Sequence, residues 1–167
     1  YRSWMAAAAS GGAELGAETV RGPGNHGFTA GLLRLLGVSS LSFWADCVAS
    51  LSLALVLGLA WNKASRALPF AEQWSGWIAL GVITHPLAWH HSYVLAYPLC
   101  AFALSRARER AHVALALAGT ACIGLVIPQT LGSDFVRPLE LASMKSWGVC
   151  LNALALVLAR RRESREA

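Results

Sequence analysis

The chain reads as an all-α polytopic membrane bundle, with about five transmembrane segments, two of them forming a Pro-centred hairpin, behind an N-terminal extracytoplasmic loop. Three observations lead there. First, 56% of residues are apolar, 14% are charged and mean hydropathy is +0.48, whereas about 25% of a soluble domain is charged. Second, long apolar stretches recur along the chain. Third, of the 14 Lys and Arg all but Lys145 lie between those stretches, not on the single clustered face that nucleic-acid binding requires.

Residues 1–38 are rich in Gly, Ala and Ser, carry scattered charges and contain no apolar run able to cross a bilayer, so they are expected as the outer loop. "MAAAASGGAELGAE" is of low complexity, "GPGNHGF" is a turn cluster, and "TAGLLRLLG" has the Leu spacing of a short amphipathic helix ending at Gly37. The chain begins at Tyr1 without the basic-then-apolar order of a signal peptide. It therefore reads as the C-terminal part of a longer protein.

The first span is placed at residues 39–61, with Asp46 as its one charge and Trp44 and Trp61 as interfacial anchors near its ends. Asp46 is expected to reach water or to pair with Lys145 or Arg137, a direct catalytic role being the other reading. The next apolar region, 71–104, is too long for one comfortable span and short for two. Basic residues flank both of its ends (Lys63 and Arg66 before it; Arg106, Arg108 and Arg110 after it), so both ends belong in the cytoplasm. Pro86 is the natural turning point, giving limbs at 71–85 and 87–104 whose tip lies in a recess below the outer surface. Further spans are expected at 112–131 and 139–159, joined by "GSDFVRP", before a cytoplasmic basic tail at 161–167. In this topology the N-terminal loop, the "HPLAWHH" tip and "GSDFVRP" share the outer face.

Cys47, Cys100, Cys122 and Cys150 fall inside apolar runs without close spacing, which argues against a disulfide framework or a zinc ribbon. The histidines of "THPLAWHHSYVLAYP" admit a metal site, a proton relay, hydrogen bonding to a substrate, or plain satisfaction of backbone groups at a proline turn. No Cys or acidic residue lies nearby in sequence, so no metal and no cofactor is expected. Trp89, Tyr93 and Tyr97 supply aromatic surface for a sugar face or an isoprenoid chain, or else an aromatic belt. Arg34 and Arg137 supply positive charge suited to a phosphate.

"HPLAWHHSYVLAYP" resembles the Ser-Pro-x-Ser-Trp-x-His-His signature of glycosyltransferase family 87, the polyprenyl-phosphate-mannose-dependent alpha-1,2-mannosyltransferases of bacterial membranes. "GNHGFTAGLLRLLG" resembles the Gly-Asn-Gln-Ser segment and trailing Gly-Leu-Leu-x-Arg-Leu that precede it there. Pro86, Trp89 and His91 match the second motif; Gly24, Asn25, Gly31, Leu32, Leu33 and Arg34 match the first. His85, Ala88, Ser92, His26 and Gly27 depart from it. The resemblance covers most of residues 20–160.

It implies a GT-C type enzyme of the inner membrane that works on the extracytoplasmic side. A sugar, mannose by the resemblance, passes from a polyprenyl-phosphate donor to a glycolipid or glycan acceptor with inversion. The general base is expected in an outer loop upstream of Tyr1, so these residues alone are expected to be inactive. In this reading His91, and with it His90, answer the charge on the departing phosphate. Arg34, Arg137 and His85 assist, Asn25 orients a sugar hydroxyl, and Trp89 and Tyr93 pack on sugar or lipid. Membrane lipids are the other partners, and nucleic acid is not one. The rival readings are a transporter or channel segment with a His-lined broken helix, and a non-catalytic membrane subunit.

Overall fold

A computed structural model describes residues 25–38, 43–85 and 88–166. The expectations for residues 1–24 and for Pro86 as the turning point lie outside them. Among the described residues all regular structure is helical, apart from one isolated antiparallel bridge between Asn25 and Trp89. Helices α1 (Phe28–Leu35), α2 (Phe43–Ala64) and α3 (Phe70–Thr84) are followed by a 3-10 turn, His90–Ala96. Then come α4 (Tyr97–Arg106), α5 (Arg110–Gly124), α6 (Pro128–Leu131), α7 (Ser133–Leu141) and α8 (Met144–Glu166).

Among the described residues one helix, α2, is long and apolar enough to cross a membrane alone, and α7 with α8 would make a second across a 66° bend. The limb expected at 71–85 is matched by α3, whereas the spans expected at 87–104 and 112–131 are each broken into shorter pieces beside a proline. Pro98 has no N–H, and its ring excludes the carbonyl four residues back, so a continuous helix over 87–104 gives way to the 3-10 turn and a fresh start at Tyr97. The expected helix over 112–131 stops at Gly124 and restarts at Pro128. Near the start of the last span, Ser143 takes a positive φ of 51°, and the chain turns there from α7 into α8.

Close backbone approach at glycine decides two of the helix contacts. A Cβ on Gly148 would lie 2.6 Å from Gly119 O, and one on Gly119 would lie 2.7 Å from Gly148 O, so α5 and α8 cross glycine against glycine. Gly76 leaves room on α3 for the Trp61 ring, whose Nε1 donates to Gln73 O at 3.1 Å. Trp61 thus turns inward rather than serving as the expected interfacial anchor, while Trp44 is exposed. Ala79, Ile83, Leu99, Ala103, Ala116, Val149 and Leu156 fill the space between α3, α4, α5 and α8.

The polar contacts gather at two ends. At one end Arg106 binds the buried Glu72 carboxylate at 2.7 Å and approaches Glu163 at 3.6 Å. Arg160 bonds Glu163 at 2.8 Å and Ala67 O at 3.1 Å, Arg162 pairs with Glu109, and His112 lies 3.7 Å from Glu109. The start of α3 and the end of α4 therefore lie together, so the two limbs go out and return. At the other end sits a knot of hydrogen bonds around residues 25–34.

Candidate functional site

The knot ties together three stretches that are far apart in sequence. Asn25 opens it: its Oδ1 accepts from Gly27 N at 2.9 Å, an Asx turn, and from Ala88 N at 3.1 Å. His26 N donates to Ala88 O at 2.8 Å, completing a short two-stranded clasp between the residues before α1 and those before the 3-10 turn. A Cβ on Gly27 would lie 3.0 Å from His85 O, so that approach is tightest with glycine.

His26 O then serves as a hub. It accepts from Tyr93 Oη at 2.6 Å and from Ser146 Oγ at 2.7 Å, the two hydroxyls lying 2.8 Å apart. The rings of His26 and Tyr93 meet edge to face with centroids 6.2 Å apart, and Phe28 meets Trp147 in the same manner at 4.7 Å. Ser143 Oγ donates to Gly27 O at 2.9 Å. Gly31 lets α1 sit on that serine, because a Cβ there would lie 2.5 Å from Ser143 Oγ.

Arg34 staples the bend between α7 and α8. Its Nε donates to Leu141 O at 2.9 Å, and its Nη2 reaches Asn25 O at 2.9 Å, Glu140 O at 3.2 Å and Ser143 Oγ at 2.9 Å. Glu140 O and Leu141 O lie in the last turn of α7, whose carbonyls lack helical partners; Glu140 O also accepts from Ser143 N at 2.9 Å, and a planar guanidinium with several donors suits what remains open. Burial pushes the Arg34 guanidinium below the ordinary arginine value, though a group of this basicity keeps its charge. Beside it, Leu35, Val38, Pro138 and Leu141 line an apolar groove of about 590 Å³.

The structure thus divides the expected site residues into two sets. Asn25, Arg34 and Tyr93 have polar atoms engaged inside the knot, and Tyr93 is only 2% exposed. His91 and Arg137 are exposed, and Trp89 presents part of its ring. His85 is exposed at the end of α3, between two grooves that share Gly81. His90 belongs to the 3-10 turn, but its side chain lies outside the described set.

Lys145 does not pair with Asp46, as one expectation had it. Its Nζ donates to Ile123 O at 2.7 Å and so caps the C-terminus of α5, where a cation also meets the negative end of the helix dipole. Asp46 itself is buried in the first turn of α2. Among the described residues no group of three or more His, Cys, Asp or Glu side chains is placed to hold a metal ion. His26, Ser143 and Ser146 were not foreseen as members of the site. The signal available for them was a pair of serines three apart where the last apolar run begins. No family model matches the chain, and neither the curated proteins nor the solved structures include a significant match.

Proposed function

We propose that this chain is the donor-side part of an integral membrane glycosyltransferase that moves a sugar, mannose by the resemblance, from a polyprenyl phosphate to a glycolipid or glycan acceptor. One observation carries the reading. The two stretches that resemble family motifs, around Asn25 to Arg34 and His85 to Tyr93, are hydrogen-bonded to one another at one end of the helices. The basic residues Arg106, Arg160 and Arg162 gather at the opposite end.

Placing the basic end in the cytoplasm puts the clasp on the extracytoplasmic side. The outward face of α2 supports embedding in lipid: Trp44, Val48, Leu51, Leu55 and Leu59 recur at helical spacing and are all more than 60% exposed. In this reading the apolar segments cross or enter the bilayer as five limbs, α3 and the 3-10 turn with α4 forming the hairpin.

In the transfer, the acceptor hydroxyl oxygen bonds to the sugar's anomeric carbon as the bond from that carbon to the phosphate oxygen breaks. The hydroxyl proton goes to a general base, which the resemblance assigns to another outer loop. The phosphate leaves with the bonding pair, and its added negative charge is met by N–H donors in a water-poor site. His91, with His90 beside it, is the catalytic donor; His85 and Arg137 add contacts to the phosphate, and Trp89 packs on the sugar or lipid. Asn25, Arg34 and Tyr93 are positioning residues that hold the His-bearing turn in place.

The test is His91→Ala in the complete membrane protein, assayed for transfer from a polyprenyl-phosphate sugar. A loss of roughly 100-fold or more is expected with unchanged expression, the scale set by removal of one donor to a developing oxyanion. Unchanged transfer refutes the assignment.

A further inference from the structure

Away from the knot, an apolar groove of about 290 Å³ runs between α2, α3, α4 and α8, with Leu57, Trp61, Leu80, Leu99 and Ala153 among its walls. Its one charged wall residue is Arg161, at the basic end. Arg160 bonds Glu163 and Arg162 pairs with Glu109, but Arg161 between them forms no ion pair among the described residues and is exposed.

From Val149 to Arg161 the groove follows α8 for about 18 Å, at 1.5 Å per residue. That volume is the space open to the centre of a water-sized molecule; the whole space between the walls, about 810 Å³ over that length, gives a cross-section of roughly 45 Å², whereas a helix about 10 Å across needs roughly 80 Å². A partner helix is too wide for it. A single hydrocarbon chain fits, and an unpaired guanidinium at its end calls for an anion such as a phosphate.

We infer that this groove is a binding site for an anionic phospholipid of the leaflet at the basic end, with one acyl chain along α8 and the headgroup phosphate on Arg161. The inference rests on the membrane reading above, yet it concerns the opposite leaflet from the transfer site and a different ligand.

The experiment reconstitutes the full chain in phosphatidylcholine vesicles with a trace of phosphatidylglycerol that carries a photoreactive group on one acyl chain, and maps the adducts by mass spectrometry. Adducts are expected at Leu57, Leu80, Leu99 or Ala153, competed by unlabelled phosphatidylglycerol and not by further phosphatidylcholine. Arg161→Ala should lower groove labelling several-fold, and Ala153→Trp, which fills the groove, should abolish it. Labelling at Val48 and Leu55 on the outer face of α2 reports embedding independently, and its absence sinks the membrane reading itself. With that face labelled, groove adducts indifferent to Arg161→Ala or to competition mean ordinary bulk lipid and overturn the site. Chain-to-chain crosslinks from the groove residues instead mean that a second copy occupies it, which also overturns the site. If Ala153→Trp fails to fold, Arg161→Ala and the competition still decide.

Discussion

Replacing Arg34 separates two roles that its charge alone cannot distinguish. If Arg34 acts as a staple, its value lies in the planar fork that reaches Asn25 O, Glu140 O and Ser143 Oγ at once, with Leu141 O at the exposed edge. Nη2 has two hydrogens for these three acceptors, so about two full bonds are lost, and at about 1.5 kcal/mol net for each bond from a charged donor Arg34→Ala should cost roughly 3 kcal/mol, the exposed bond being discounted. Arg34→Lys keeps the charge but offers one compact ammonium, which satisfies about one of those acceptors, so it should cost roughly 2 kcal/mol. For a chain of this size each kcal/mol moves Tm by about 2–4 °C, which gives falls of about 6–12 °C for Ala and 4–8 °C for Lys. Near-UV circular dichroism of the purified protein in detergent reads both. A lysine variant with the wild-type Tm, beside a destabilised alanine variant, would mean that charge alone matters at this position, and the staple argument would fail.

Gly31→Ala should cost about 1–3 kcal/mol by overpacking, since its Cβ would fall 2.5 Å from a Ser143 Oγ already held between Arg34 and Gly27 O; an unchanged Tm would show that the bend yields freely. At the basic end, Arg106→Ala should destabilise by about 3–5 kcal/mol because it strands the buried Glu72 carboxylate, while Glu72→Gln, which leaves a neutral group facing an arginine that can turn to water, should cost clearly less. Equal losses in the two variants would contradict that asymmetry. The Arg160 hydrogen bond holds the Glu163 carboxyl below the ordinary glutamate range, with Arg106, Arg160 and Arg108 adding charge. A lowered carboxyl pKa stabilises the fold above the unfolded value and loses that contribution as pH falls through the folded one. The Tm gap between wild type and Glu163→Gln should therefore be present at neutral pH, stay under about 1 kcal/mol because the pair is partly exposed, and close in acid; a gap that widens in acid reverses the sign.

The helices were legible in the sequence because apolar run length and flanking arginines are local signals. Thus α2 lies close to the first expected span, and the antiparallel limbs of α3 and α4 follow from the basic residues at both ends of 71–104. Where the boundaries moved, hydropathy had averaged over a backbone break: Pro98 and Pro128 each sit inside an apolar run that a window cannot divide. The knot was half legible. Asn25 and Tyr93 stood out by type, but the long-range partners of their side chains, Ala88 N for Asn25 and Ser146 Oγ for Tyr93, lie 63 and 53 residues away and carry no signal in the sequence. Lys145 shows the same limit, for a buried lysine suggests a carboxylate partner, and only the fold reveals the open end of α5 beside it.

The lengths of the helices bear on what kind of donor the proposed site can accept. With the arginines of the basic end at the headgroups of one leaflet, α3 rises only about 22 Å over its 15 residues, and Ser146 stands about 21 Å along α8 from Arg160. Both estimates leave the knot short of the far surface of a hydrocarbon core about 30 Å thick. Helix α2, with 22 residues and a rise of about 33 Å, carries on past that level to the exposed Trp44. On the proposed reading the site would lie in a recess with α2 as a wall, where water would be scarce and donors such as His91 would act more strongly on developing charge. A free sugar phosphate would have to shed its hydration to enter from above. A phosphate tethered to a polyprenyl chain comes in from the side, and the burial of that chain offsets the cost of drawing the charge below the surface. On that reading the recess would favour a lipid-linked donor over a soluble one, for the same reason that limbs of this length would stop short of the far surface.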